Sequence, residues 1–264
     1  MSNQRYPSDL TDSQWHLIKG LLPPPKPRGR PRLNLREVID AIFYVLKGGI
    51  QWRMLPTDCP RWQSVYGHFR RWRRDGLWRR LHDALRAAAR RRVGRHKHPT
   101  AGCLDSQSVH TTEAAAPATR GNDANKRVKG RKRHLLVDTT GLLLAVAVTA
   151  ANMQDKAGAL LAFKRLGGGG KKLRRVWADG AYRTERGHLA AWVQRRRLSL
   201  TTVARPEGQR GFAVLPRRWV VERTFGWLYQ SRRLSKDYER LAETSEALIY
   251  IAMTRLMLRR LASK

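Results

Sequence analysis

The chain has 264 residues and carries 54 Lys and Arg against 20 Asp and Glu, a formal net charge of +34. A surface that basic excludes an ordinary enzyme of small anionic metabolites and points to a polyanion as partner. Hydrophobic content of 41%, with nine Trp, seven Tyr and five Phe, excludes a disordered basic tail and allows a packed core.

The first residues, MSNQRYPSDLTDSQW, lack the apolar core of a signal peptide, so the expectation is a protein that stays in the cytoplasm. Asp9-Leu10-Thr11-Asp12 ahead of Trp15, Leu17, Ile18, Leu21 and Leu22 reads as a short capped helix, stopped by Pro23-Pro24-Pro25. A second helix runs from about Asn34 to Lys47, with Leu35, Val38, Ile39, Ile42, Val45 and Leu46 at helical spacing and Gly48-Gly49 closing it. A third spans Ser64 to Asp75, where Val65, Phe69 and Trp72 share one face. Gly76 breaks the pattern, and Leu77, Trp78, Leu81 and Leu85 start a fourth. Residues 1–95 therefore read as an all-α module.

After His96-Lys97-His98-Pro99 the period changes. Ala101–His110 reads as a strand, and Val128–Val137 with Leu142–Val148 as a hairpin around Asp138-Thr139-Thr140-Gly141. The longest apolar run, Leu142–Ala151, is interrupted by Thr149 and too short to cross a membrane. Asp155–Leu166 reads as a helix, and Gly167–Gly170 as a loop, because four glycines in a row oppose any regular element. Leu173–Ala178 reads as a strand, Arg186–Arg196 as a helix, Leu198–Ala204 as a strand. Helices at Arg217–Gln230 and Thr244–Leu261 end the chain. Residues 96–264 thus form a mixed α/β domain. Cys59 and Cys103, the two cysteines, make neither a disulfide framework nor a cysteine zinc site.

With acidic residues scarce, each isolated carboxylate stands out. Asp105 lies in the first strand of the α/β domain, Asp179 ends the strand Val176-Trp177-Ala178, and Glu222 sits in the helical stretch Trp219-Val220-Val221-Glu222-Arg223-Thr224-Phe225. Interior carboxylates need a cation, hydrogen bonds or a metal as partners. Three that met would make a hard oxygen site suited to Mg²⁺, and two such ions can drive phosphodiester chemistry. Each also has a structural reading: Asp105 as a strand-end cap, Asp179 as an Asp-Gly turn, Glu222 as a helix partner of Arg218. Asp138 reads as a turn residue.

Longer motifs go further. RRWVVERTFGWLYQSRRLSKDYE (Arg217–Glu239), CLDSQSV (Cys103–Val109), VKGRKRHLLVDTTGLLLAV (Val128–Val146), VWADGAY (Val176–Tyr182) and ETSEALIYIAMTRLMLRRL (Glu243–Leu261) resemble bacterial insertion-sequence transposases of family five. So do YPSDLTDSQW (Tyr6–Trp15), GRPRLNLREVIDAIFYVLKGGIQWRMLP (Gly29–Pro56) and VYGHFRRW (Val65–Trp72), so the resemblance covers nearly the whole chain in order. It implies a ribonuclease-H-like, mixed-sheet α/β core preceded by a helix-turn-helix-like DNA-binding module. It also implies an Asp-Asp-Glu triad of Asp105, Asp179 and Glu222, acting as catalytic residues and as ligands of Mg²⁺ or Mn²⁺, with no small-molecule cofactor. The implied activity is cleavage at the inverted-repeat ends of an insertion sequence and transfer of the 3′-hydroxyl ends to target DNA. The implied setting is double-stranded DNA in the nucleoid, a homodimer or larger assembly, and no membrane. Its rivals are a non-catalytic, transposase-derived repressor and a plain nuclease. Arg218 and Glu222 fit the wider group's spaced Tyr, Arg, Glu and Lys, but Leu215 and Tyr229 hold the expected Tyr and Lys positions. Arg218, Arg223 and Lys236 around the glutamate are the implied DNA contacts.

Three basic segments complete the picture. Lys26-Pro27-Arg28-Gly29-Arg30-Pro31-Arg32 resembles an AT-hook, whose arginines (Arg28, Arg30, Arg32) enter a narrow minor groove, or else a linker gripping phosphate. Arg70, Arg71, Arg73 and Arg74 read either as a recognition helix or as a solvated basic face. Lys126–Arg133, with Lys129, Arg131, Lys132 and Arg133, reads as an edge strand holding phosphate near the site, or as charge guarding that edge. Trp177, Trp192, Trp219 and Trp227 read as core rather than as stacking platforms. His110, His134 and His188 show no ligand spacing.

Overall fold

A computed structural model describes residues 5–24, 33–167, 170–203 and 218–263. Helix α1 (Asp12–Ile18) starts at a reciprocal capping box, in which Thr11 accepts from the Gln14 amide and Gln14 answers to the Thr11 amide. Helix α2 (Leu35–Gly48) is capped by Asn34 and ends at Gly49, whose φ of 76° is the left-handed conformation glycine permits. A Cβ there would also press to 2.9 Å from Arg232 Cβ, so Gly49 lets the segment around Arg232 dock on this helix end. Helix α3 (Trp62–Arg74) and helix α4 (Leu77–Arg92) follow, separated at Gly76.

The sheet is built from β1 (Ala101–His110), β2 (Gly121–Asp123), β3 (Val128–Asp138), β4 (Leu143–Ala150), β5 (Arg175–Ala178) and β6 (Ser199–Thr202). Its order is β2-β3-β1-β5-β6, with β4 also on β3. β1, β3 and β4 are antiparallel; β5 and β6 run parallel to β1. Helices α5 (Asp155–Lys164), α6 (His188–Arg195), α7 (Trp219–Tyr229) and α8 (Ala242–Ala262) complete the chain. The short β2 was not foreseen, because three residues without a hydrophobic pattern carry no strand signal.

Alternation along the strands divides the core into two layers. Leu104, Leu136, Val176 and Ala178 pack with Ala159 and Phe163 of α5 and Leu189 of α6. Cys103, Leu135, Val137 and Trp177 point the other way, toward Val220, Val221 and Phe225 of α7 and the apolar residues of α8. Helices on both faces of a mixed sheet make the ribonuclease-H-like α/β architecture expected. Gly158 allows α5 to lie on the buried His134 ring, since a Cβ would come within 2.0 Å of it. Burial pushes that imidazole down to about 4, so it is neutral at physiological pH.

The apolar core does not stop at residue 95. Leu10, Ile18, Ile42, Phe69, Trp78 and Leu85 of the helical region share one cluster with Leu248, Ile251 and Met257 of α8. Buried polar bonds cross the same boundary. Arg90 Nη1 pairs with Asp138 Oδ2, and Arg86 Nη1 donates to the Leu143 carbonyl at 3.0 Å. Asp138 is fully buried and also accepts from the Thr140 and Leu142 amides, at 2.8 and 2.9 Å, which is the turn chemistry its sequence suggested.

Loss of Arg90 strands a buried carboxylate, so Arg90→Met should cost about 3–5 kcal/mol in urea unfolding. The double variant Arg90→Met, Asp138→Asn should recover part of that loss, because no unpaired charge then remains inside.

Candidate active site

The strand register alone brings two of the acids together. β1 and β5 are parallel neighbours with Cys103 opposite Trp177. Two residues further along each chain stand Asp105 and Asp179, on the same face as Cys103 and Trp177 and toward α7. Asp179 is also the cap of the short turn Gly180–Tyr182, accepting from the Ala181 amide at 2.9 Å, so its turn reading and its place in the site coexist. α7 crosses this face against β1 and β3 and supplies Glu222 from its first turn.

One nitrogen marks where the three meet. Arg218 Nη2 lies 3.7 Å from Asp105 Oδ2, 3.9 Å from Asp179 Oδ2 and 4.0 Å from Glu222 Oε1. The side chains are graded from the sheet outward, with 15% of Asp105, 32% of Asp179 and 48% of Glu222 exposed. Asp105 Oδ1 accepts from the Ser106 amide at 2.7 Å. Burial, and then the Asp179 charge, push the Asp105 carboxyl up to about 6, against the opposing pull of that amide and Arg218. Arg218 alone therefore leaves the cluster short of positive charge.

The donor set is all carboxylate oxygen, the class that Mg²⁺ and Mn²⁺ prefer. Among the described residues no group of three His, Cys, Asp or Glu side chains is already closed to metal-ligand distance. Mg²⁺ needs oxygens at about 2.0–2.1 Å, so these carboxylates fit the ion in kind and direction but must draw inward.

Several basic residues lie elsewhere than expected. Arg131, Lys132 and Arg133 are buried in β3, an interior strand paired with β1 and β4, not on an edge. Arg131 Nη1 donates to Asp237 Oδ1 at 3.0 Å, the Glu239 carbonyl at 2.8 Å and Ser245 Oγ at 3.2 Å. Arg133 donates to the Leu234 and Lys236 carbonyls, at 2.8 and 3.2 Å. Lys132 Nζ lies 3.2 Å from Asp155 and 3.6 Å from Asp123. These three side chains are therefore buried inside the fold and do not offer the phosphate contacts their sequence suggested. Lys129 and Lys236 remain exposed. On α3, Arg70, Arg71 and Arg74 are exposed, whereas Arg73 turns inward to Thr244 Oγ1 at 2.8 Å. Arg28, Arg30 and Arg32 fall outside the described residues, as does Leu215.

The tryptophans also divide. Trp177 is buried and Trp192 stacks on Phe163 at 4.8 Å. Trp219, read as core, is 40% exposed. It begins a ladder on α7 in which the Arg223 guanidinium lies 4.5 Å from the Trp219 ring and 4.7 Å from the Trp227 ring. Arg260 covers Trp227 at 4.3 Å. Spacing of four along α7 is the signal that places Trp219, Arg223 and Trp227 in one row. Arg223 is thus clamped between indoles rather than free.

Comparison with known proteins agrees with this geometry. Residues 10–82 match the family described as "Putative transposase of IS4/5 family", and residues 96–257 match "Transposase DDE domain". The "Insertion element IS402 uncharacterized 16.2 kDa protein" of Burkholderia cepacia is 40% identical over 88 residues, 31% of this chain and 60% of that protein. The "Putative transposase for insertion sequence element IS402" of the same organism is 33% identical over 140 residues, 50% of this chain and 65% of that one. "Uncharacterized protein y4sN" of Sinorhizobium fredii is 33% identical over 82 residues, 31% and 63%. The chain spans 60–65% of the length of these curated relatives.

The Asp105 carboxyl is raised from 3.8 to about 6 in the folded state, so the unfolded chain gives up this proton first, and stability falls as pH rises from about 4 to about 6 and stays lowered above that. Metal-free Asp105→Asn should therefore be more stable than the wild type at pH 8, by up to about 3 kcal/mol. The difference should vanish toward pH 4, where both side chains are neutral, as urea titrations at several pH values would read.

Proposed function

The chain belongs to the transposases with a DDE domain, preceded by a helical region of the IS4/5 type, and from that membership we propose a DNA transposase acting through Asp105, Asp179 and Glu222. The observation that carries the reading is their convergence, from two strands and a helix, within 4.0 Å of a single cationic nitrogen. In a protein of charge +34, such a concentration of acid works against folding and against nucleic-acid binding alike. It becomes intelligible as a site for divalent cations, Mg²⁺ or Mn²⁺. Asp105, Asp179 and Glu222 would hold such an ion, which would supply Lewis acidity for the attacking and leaving oxygens of a phosphodiester.

The chain's own residues do the rest by position. Asp105, on the middle of the sheet, fixes the floor of the site, and Asp179 stands beside it at the end of the parallel neighbour. Glu222, the most exposed of the three, closes the site from α7 on the side open to solvent. Exposed Arg70, Arg71 and Arg74 on α3, with Lys129 and Lys236, hold phosphates along the duplex. The helical region takes the terminal inverted repeats, and the DDE domain cuts at the ends and joins the 3′-hydroxyls to target DNA. Joining two ends in one event calls for a dimer or larger assembly on the DNA. Among the described residues no helix is long and apolar enough to cross a membrane.

The test is a linear fragment bearing the element's ends, a plasmid target and Mg²⁺. Joined products should form with the wild type and fall about a thousandfold or more in Asp105→Asn and in Glu222→Gln, the loss of several kcal/mol of metal-borne stabilisation. Cleavage without joining would make the protein a nuclease, and binding without cleavage a repressor.

A second expectation concerns affinity. Arg70→Ala, Arg71→Ala and Arg74→Ala should each weaken duplex binding across sequences and lower its salt slope by about one unit. Arg131→Ala and Arg133→Ala should instead act through folding, seen as lower melting temperatures.

A further inference from the structure

Arg218 stands among the three carboxylates without hydrogen-bonding any of them. Its distances of 3.7, 3.9 and 4.0 Å are ion-pair distances, too long for hydrogen bonds. Its Nε is buried with no partner, and the side chain is only 13% exposed. The difference from the structural arginines lies at Nη: Arg86 and Arg133 also have a buried Nε without a partner, but the three bonds from Arg131 Nη1, the Arg86 bond to the Leu143 carbonyl and the two carbonyl bonds of Arg133 fix those guanidinium groups by directed contacts. Among the described residues, what holds the Arg218 guanidinium in place is therefore its charge among three opposite charges, not a network of directed bonds.

That arrangement cannot coexist with a bound divalent ion. The three carboxylate oxygens lie 3.7–4.0 Å around the Arg218 nitrogen, which takes up the space between them. For Mg²⁺ the oxygens must close to about 2.0–2.1 Å, and a guanidinium would then face a second, doubly charged cation across the same few ångströms. Withdrawal of the guanidinium is simple. Arg218 is the N-cap residue of α7, its side chain makes no cap hydrogen bond, and its departure breaks no bond of the helix.

We propose that Arg218 is a stand-in cation: it holds the Asp105–Asp179–Glu222 cluster together before metal binds, competes with the divalent ion for the cluster, and is expelled from it when that ion enters. The proposal rests on the reading of the triad as a metal site. Its consequence is that loading is an exchange of cations, so the fold need never hold three bare acids together.

The experiment measures Mn²⁺ binding to the DNA-free protein by the loss of the free-ion electron paramagnetic resonance signal. Arg218→Gln removes the competing charge and should bind Mn²⁺ more tightly, by roughly 5–150-fold, the usual span of a coupling between two sites. Arg218→Lys keeps the charge and should stay near the wild type. Without metal, Arg218→Gln should melt below the wild type, and saturating Mn²⁺ should close the gap. Mn²⁺ affinity that is unchanged or weaker in Arg218→Gln would overturn the proposal, because a purely structural or ligand-orienting arginine predicts that result. Should Arg218→Gln not fold, the ¹⁵Nε resonance of Arg218, assigned by its absence from Arg218→Lys, is followed during Mg²⁺ titration of the wild type. A shift saturating with the metal supports expulsion, and a resonance that stays put refutes it. Asp105→Asn separates the two levels. Mn²⁺ binding that this variant does not weaken removes the metal-site reading itself, whereas binding lost in Asp105→Asn but indifferent to Arg218→Gln removes only the exchange.

Discussion

Mutual repulsion of Asp105, Asp179 and Glu222 is the constraint around which this fold is arranged. No local preference of the chain brings three carboxylates to one point; the parallel register of β1 and β5 brings two, and the docking of α7 brings the third. Each placement needs support of its own. Two apolar layers fix the sheet between α5–α6 and α7–α8. The far end of α7 is held to the helical region, where Lys47 Nζ donates to the Gln230 carbonyl at 2.5 Å and Arg233 to the Ile50 carbonyl at 2.9 Å. Displacement of α2 would thus be felt at Glu222, although none of its residues reaches the triad.

The same constraint explains how the arginines are divided. Arg86, Arg90, Arg131, Arg133 and Arg233 are buried, each with carboxylates or main-chain carbonyls as acceptors. Buried ion pairs add little net stability compared with apolar packing of the same volume, but they punish wrong packing heavily. Arg131 ties β3 to Asp237 and Ser245, and Arg90 ties α4 to the β3–β4 turn, so these pairs join segments that meet only in the correct fold. Part of the positive charge therefore serves specificity of folding, and the net charge overstates the area available to phosphate.

The elements were largely legible in the sequence because their periods were clean: β1 and the helices α2, α5 and α8 fall within a few residues of where alternation and helical spacing put them. The three acids stood out because acids are rare in the chain, and their grouping came from the motif resemblance, since spacing alone left each with an equal structural role. Lys126–Arg133 could not be read correctly by local rules. A charged strand segment looks like an edge unless its partners are known, and the partner of Arg131 is 106 residues away. Trp219 failed for a related reason. Its helical spacing with Trp227 implied a shared buried face, but only Trp227 packs against the core, while the Trp219 ring is exposed and lies over Arg223.

Arg218 joins these threads, because no rule applied to the sequence separates an arginine that builds structure from one that substitutes for a ligand. At i−4 from Glu222 it reads as an ordinary helix pair. Only the space around it distinguishes the two cases: directed bonds at 2.8–3.2 Å for Arg131 Nη1, and charge contacts at 3.7–4.0 Å for Arg218 Nη2. Hydrogen bonds hold a side chain in one geometry, whereas Coulomb attraction alone holds it near a charge and releases it when a stronger cation arrives. A cluster that must be stable without metal and yet open to metal is served by the second kind of contact, and the unsatisfied donors of Arg218 are what that choice looks like in the fold.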